Sequence, residues 1–152
     1  MSHDKAVSSI KFELYQIDKH LNSYRDLLEK VKHNKPNLIE TTALSSVLHS
    51  FYNGIENIFL AIAKNIDENV PHGSNWHQAL LRQMLNNNEK RKPVISDKLK
   101  DKLVDYLGFR HFYRHSYSFH LDWNEIESLV ISLEETWQCL KKEINSFMEN
   151  NS

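Results

Sequence analysis

The segment from Leu48 to Lys64, "LHSFYNGIENIFLAIAK", decides the fold. Leu48, Phe51, Ile55, Ile58 and Ile62 step by threes and fours, and Leu44 carries the same stripe backward. An α-helix turns by about 100° per residue, so this spacing puts them on one face. Val47, Phe59 and Ile66 widen the apolar surface beyond the stripe. A helix that is apolar around most of its circumference is a buried one. It is therefore expected at the centre of the molecule, with other helices around it. Glu56 interrupts the pattern. A carboxylate in such surroundings needs a partner, and an arginine of a later helix is the expected one.

The rest of the chain supplies the surrounding helices. Val7, Ile10, Leu14, Ile17, Leu21, Tyr24, Leu28 and Val31 lie on one helical stripe that closes at Pro36. "VPHGS" ends the central helix, and Ser74 is expected to cap a short one carrying Trp76, Leu80, Leu81 and Met84. After the polar "NNNEKRKP", Ser96 or Asp97 starts a helix striped by Leu99, Leu103 and Tyr106. Asp122 and Glu125 have the capping-box spacing and open a last helix through Ile126, Val130, Leu133, Trp137, Leu140, Ile144 and Phe147. The reading is all-α: a bundle of about five helices, three of them long, forming a single domain over residues 1–152.

Composition agrees with this reading and excludes several functions. Only 3 Gly and 3 Pro occur, too few for the turns of a many-stranded β protein. The lone Cys139 allows no internal disulfide. The first twenty residues hold no apolar core of a signal peptide, and no apolar run approaches the roughly 20 residues that cross a bilayer. A cytoplasmic protein that does not enter the membrane is expected. With 19 Lys and Arg against 20 Asp and Glu, the net charge of −1 leaves no bulk electrostatic attraction for nucleic acid. Any such binding has to be local.

One stretch supplies a local concentration. Gly108 to Trp123, "GFRHFYRHSYSFHLDW", gathers Arg110, His111, Arg114, His115 and His120 among six aromatic residues. Continuing the spacing of Leu99, Leu103 and Tyr106 leads to Arg110, where an apolar residue is due. On a helix Arg110, Arg114 and Tyr117 share one face and His111 and His115 the adjoining one. Guanidinium binds phosphate oxygens through a rigid fork of donors, and imidazole exchanges protons near neutral pH. In RNA the 2′-hydroxyl lies beside the phosphate as an internal nucleophile, so a base, an acid and a charge stabiliser suffice without a metal. Other readings of the same residues stand beside this one. Arg110 can simply pair with a carboxylate. His111 and His115, four apart, can hold a metal, although no H-E-x-x-H pattern is present. The aromatic residues can be core.

"RHFYRH" followed by Ser116 and Tyr117 resembles the R-x4-H-x-Y signature of HepT-like toxins, a branch of the HEPN superfamily of helical-bundle ribonucleases. "LHSFYNGIENIFLAIAK", "WHQALLRQM" and "FRHFYRHSYSFHLDW" are similar to that branch in the same order, so the resemblance covers roughly residues 40 to 147. It implies a metal-independent endoribonuclease toxin without a cofactor, acting as a homodimer whose two motif helices face each other. It assigns Arg110 to the scissile phosphate and His115 to proton transfer. His111 and Arg114 become auxiliary contacts; Glu56, read from its place in the apolar helix, is expected to support the arginine. An MNT-type nucleotidyltransferase antitoxin is the implied partner, with Tyr117 the residue to which it attaches AMP. Arg110 and His115 lie about 140° apart on their helix, which suits a site composed from two copies. Two alternatives remain open: a non-catalytic HEPN module that holds a nucleotidyltransferase or a nucleotide, and a His-based metal-binding bundle.

Several residues outside the motif have double readings. Lys90, Arg91, Lys92, Lys98, Lys100 and Lys102 are first a solvated surface and second an extension of an RNA path. His49, Asn53 and Trp76 border the cleft or belong to ordinary packing, which spacing does not separate.

Overall fold

The computed structural model describes residues 2–115 and 122–151, and of Ser2 and His115 the backbone only. Seven α-helices follow one another: α1 (Ser2–Ser23), α2 (Arg25–Lys30), α3 (Leu38–Ile62), α4 (Trp76–Gln83), α5 (Asp97–His115), α6 (Trp123–Ile131) and α7 (Leu133–Asn150). A π-helical turn, Ala63–Asp67, extends α3. No strand occurs among the described residues, where the nearest approach is an isolated bridge between Asn88 and Arg91.

The five expected helices are all present, with the first and last each broken once. At Tyr24 the amide bonds back to the Leu21 carbonyl at 3.1 Å, which tightens the turn and separates α1 from α2. At Ser132 the side-chain hydroxyl donates to the Ser128 carbonyl at 2.7 Å. The Tyr106 hydroxyl donates to the Leu129 carbonyl, also at 2.7 Å, and both compete with helix hydrogen bonding where α6 gives way to α7.

Helix ends show which caps the sequence signals identified. Ser96 caps α5, accepting from the Leu99 amide at 3.1 Å, while its own amide and hydroxyl donate to Glu143 of α7. Asp122 caps α6 by accepting from the Asn124 amide. Ser74 is not a cap: the turn at Gly73, with φ of +96°, presents the Gly73 carbonyl to the Trp76 amide, and the backbone does the work instead. The reciprocal capping box lies at α3, where Asn37 accepts from Glu40 N and Glu40 accepts from Asn37 N.

α3 is the central helix and packs against α1, α4, α5 and α6. Leu44, Leu48, Phe51, Ile55, Ile58, Phe59 and Ile62 are buried along it. α1 approaches closely at Gly54, where a Cβ would stand 2.6 Å from Cγ1 of Ile17. Only glycine leaves room for that contact, and it fixes the back of α3. Asn53, one residue before Gly54, and Glu56, two after it, face α5 and α4. A second anchor lies at the end of α3. Arg91 is buried and binds both carboxylate oxygens of Asp67 at 2.7 Å, while its remaining donors reach the carbonyls of Gln83, Asn86 and Lys92.

Candidate functional site

Three helices each place a polar side chain on their inward face, and the three meet. Glu56 comes from α3, His77 from α4 and Arg110 from α5. The side chain of Glu56 is 5% exposed and that of Arg110 12%. Arg110 therefore turns inward onto α3, whereas His111 and Arg114 are exposed. The arginine stands where an apolar residue was due because the carboxylate it meets is itself embedded in an apolar helix.

The hydrogen bonds define an ordered network. Arg110 Nε donates to Asn53 Oδ1 at 3.0 Å and lies 3.4 Å from Glu56 Oε1. Arg110 Nη1 is 3.4 Å from His77 Nε2, and His77 Nδ1 is 2.7 Å from Glu56 Oε2. A guanidinium only donates. His77 Nε2 consequently presents its lone pair to Arg110, and Nδ1–H donates to Glu56. Asn53 continues the chain: its amide Nδ2 donates to His49 Nε2 at 3.1 Å. The His49 ring stacks on Tyr113 with centroids 4.7 Å apart.

Burial lowers the His49 pKa, and the nearby charges of Arg110 and Arg114 lower it further. Its Nδ1 has no partner among the described residues. Beneath the network, Tyr52 is fully buried with its hydroxyl unpartnered among the described residues. Burial pushes the Tyr52 pKa strongly upward, with the Glu56 charge acting in the same direction, so the hydroxyl stays protonated.

A cleft of about 690 Å³ opens between α4 and α5. His77, Arg110 and His111 line it together with Arg82, Lys100 and an apolar wall that includes Leu81, Val104 and Leu107. The expected partnership of Glu56 with an arginine of the motif helix is present. His49 and Asn53 belong to the site, and Trp76 packs its ring against His77 with centroids 3.7 Å apart. The His115 side chain, Ser116, Tyr117 and His120 lie outside the described side chains. Among the described residues no group of three or more His, Cys, Asp or Glu side chains gathers as a metal-ligand set.

Of the cations in the loop before α5 and its first turns, Lys92 and Lys98 are exposed and four are paired. Arg91 is buried against Asp67, Lys90 pairs with Glu68, Lys100 with Asp101 and Lys102 with Glu135. His77 is the site residue that sequence reading passed over. Its signal was available: it precedes Leu80 by three and Leu81 by four, so it occupies the buried face of α4.

A guanidinium and an imidazole thus meet on one buried carboxylate at the head of a cleft in an all-α bundle. Residues 43–151 match the family described as HepT-like protein, and the chain belongs to that family, within the HEPN superfamily. No curated protein and no solved structure shows a significant match. Among the described residues no helix is long and apolar enough to cross a membrane.

Proposed function

We propose that the protein is a metal-independent endoribonuclease toxin of a toxin–antitoxin pair, acting as a homodimer on cellular RNA. The observation that carries this reading is Arg110, fastened by Asn53, Glu56 and His77 at the head of the α4–α5 cleft. A guanidinium held by three neighbours is pre-aimed, so a phosphodiester entering the cleft meets a positive charge already placed at its head. Family membership supports the same chemistry. Arg110 engages the scissile phosphate, His115 transfers a proton, and His111 and Arg114, exposed on the same helix, are auxiliary contacts to the RNA backbone. Purified protein is expected to cleave cellular RNA in excess chelator and to leave 2′,3′-cyclic phosphate ends. Failure of the dimeric protein to cut any class of RNA overturns the reading and favours a binding module.

Regulation is assigned to Tyr117. Attachment of AMP there adds a phosphodiester and a base two residues past His115, competing for Arg110 and Arg114 and obstructing the strand. With ATP, a cognate MNT-type nucleotidyltransferase is expected to raise the mass of the wild-type protein by one or more AMP units and silence it. Tyr117→Phe is expected to stay unmodified and active. Neutralisation of the phenylalanine variant, or AMP on another residue, sinks this part alone.

A further inference from the structure

Resting on the ribonuclease reading, we propose that His77 is a catalytic residue, the general base that takes the proton of the RNA 2′-hydroxyl, with Glu56 as its positioning residue. The geometry singles His77 out among the described histidines near Arg110. His49 has its Nε2 occupied by the Asn53 amide and its Nδ1 buried. His111 lines the same cleft but is exposed, whereas His77 is half-buried against the Glu56 carboxylate. His77 is held at both nitrogens: Nδ1 by the buried Glu56 carboxylate at 2.7 Å, Nε2 by the Arg110 guanidinium at 3.4 Å, at the wall of the cleft. Its Nε2 carries the lone pair because its neighbour there can only donate. A carboxylate behind one imidazole nitrogen fixes the tautomer that presents the other as a base, and it stabilises the imidazolium formed when that base is used.

The step balances within one turnover. When phosphate enters, Arg110 Nη1 turns from His77 to a non-bridging oxygen, which frees Nε2. His77 Nε2 accepts the 2′-hydroxyl proton as the 2′-oxygen bonds to phosphorus. The bond from phosphorus to the 5′-oxygen breaks, and that oxygen takes a proton from an imidazolium, the role proposed for His115. The products are a 2′,3′-cyclic phosphate and a 5′-hydroxyl. Return of the proton from His77 to the acid through solvent closes the cycle. The charged and titratable groups that share the cleft with His77 are Glu56 behind it on α3, Arg110 and His111 on α5 with Lys100 and Asp97 further along, and Arg82 on α4.

His77→Asn is the discriminating variant, because its amide nitrogen takes the place of Nδ1 and keeps the bond to Glu56 while removing Nε2. With folding checked by circular dichroism, RNA cleavage is expected to fall by roughly 10²–10⁴-fold, and the acidic limb of the pH–rate profile is expected to flatten. A second substrate separates base from acid. RNA with sulfur in place of the scissile 5′-oxygen needs no acid, so His115→Ala regains activity on it and His77→Asn does not. Cleavage by His77→Asn within a few-fold of wild type overturns the proposal, as does recovery of that variant on the sulfur substrate. An unchanged acidic limb reduces His77 to a support for Arg110 and equally overturns it. Wild-type protein inert on all RNA removes the ribonuclease reading itself, an outcome visible without any variant.

Discussion

Arg110→Ala is expected to lower RNA cleavage by roughly 10²–10³-fold, the cost of removing one pre-aimed donor from a developing oxyanion. The same change is expected to weaken the fold. Without the guanidinium, Glu56 keeps His77 but loses the charge 3.4 Å from its other oxygen. A buried acceptor stripped of a partner costs about 1–3 kcal/mol, so activity and stability fall together. Two further variants part them. Arg110→Lys keeps the charge but lacks the planar fork that reaches Asn53 and His77 at once, and it is expected to remain stable and cleave poorly. Arg110→Ala combined with Glu56→Gln removes the unbalanced carboxylate and is expected to recover much of the stability with none of the cleavage. Thermal melts and cleavage rates on the same preparations decide this. Full activity of Arg110→Lys would show that the fork is not what the reaction uses.

The largest effect on stability is expected at the Asp67–Arg91 pair. Both side chains are essentially buried, at 3% and 0% exposure. Arg91→Ala leaves the Asp67 carboxylate with Gln83 and Asn88 as its remaining side-chain donors, and breaking such a buried pair costs about 3–5 kcal/mol. The pair also sets an acid limit. Burial by itself raises the Asp67 pKa, but the hydrogen bonds from Arg91, Gln83 and Asn88 and the Arg91 charge outweigh it and hold the carboxyl below its ordinary value. A group that binds its proton less readily when folded stabilises the protein above the unfolded value, about 3.9. That stability is lost as pH falls through the lower native value. Denaturant unfolding from neutral pH down to this range is expected to show the loss in wild type and a flatter profile in Arg91→Ala. Equal midpoints for the two proteins at neutral pH would contradict the assignment.

The helices could be read from the sequence because their stripes are long and regular: α3 from Leu44 to Ile62, α7 from Leu133 to Phe147. The two breaks could not. Neither Tyr24 nor Ser132 interrupts an apolar stripe, and the Ser132 break involves Tyr106, a residue from another helix. Arg110 was visible as an interruption of its stripe, and so was Glu56 in α3. That they meet is a matter of how α5 is rotated against α3, which periodicity within one helix does not contain. His77 sits on the apolar face of a helix of only eight residues, a spacing that turns it inward without showing which residues of other helices it meets. The three interruptions explain one another only together: each polar group is tolerated because the other two are there.

The contact of Gly54 with Ile17 bears on how far the chain can be cut. The match to the HepT-like family begins at residue 43, which leaves α1 and α2 outside it. Yet Ala6, Ile10, Ile17 and Leu21 are the covering of α3's rear side, and Ile17 occupies the space that the missing Cβ vacates. A shortened chain that kept only the matched portion would open an oily trench along its longest helix, with a glycine at the bottom where the backbone lies bare to water. Such a surface invites clumping, and it would let the segment bearing Asn53 and Glu56 swivel. The leading helices are thus the back wall against which Asn53 and Glu56 are braced, although none of their side chains lines the cleft between α4 and α5.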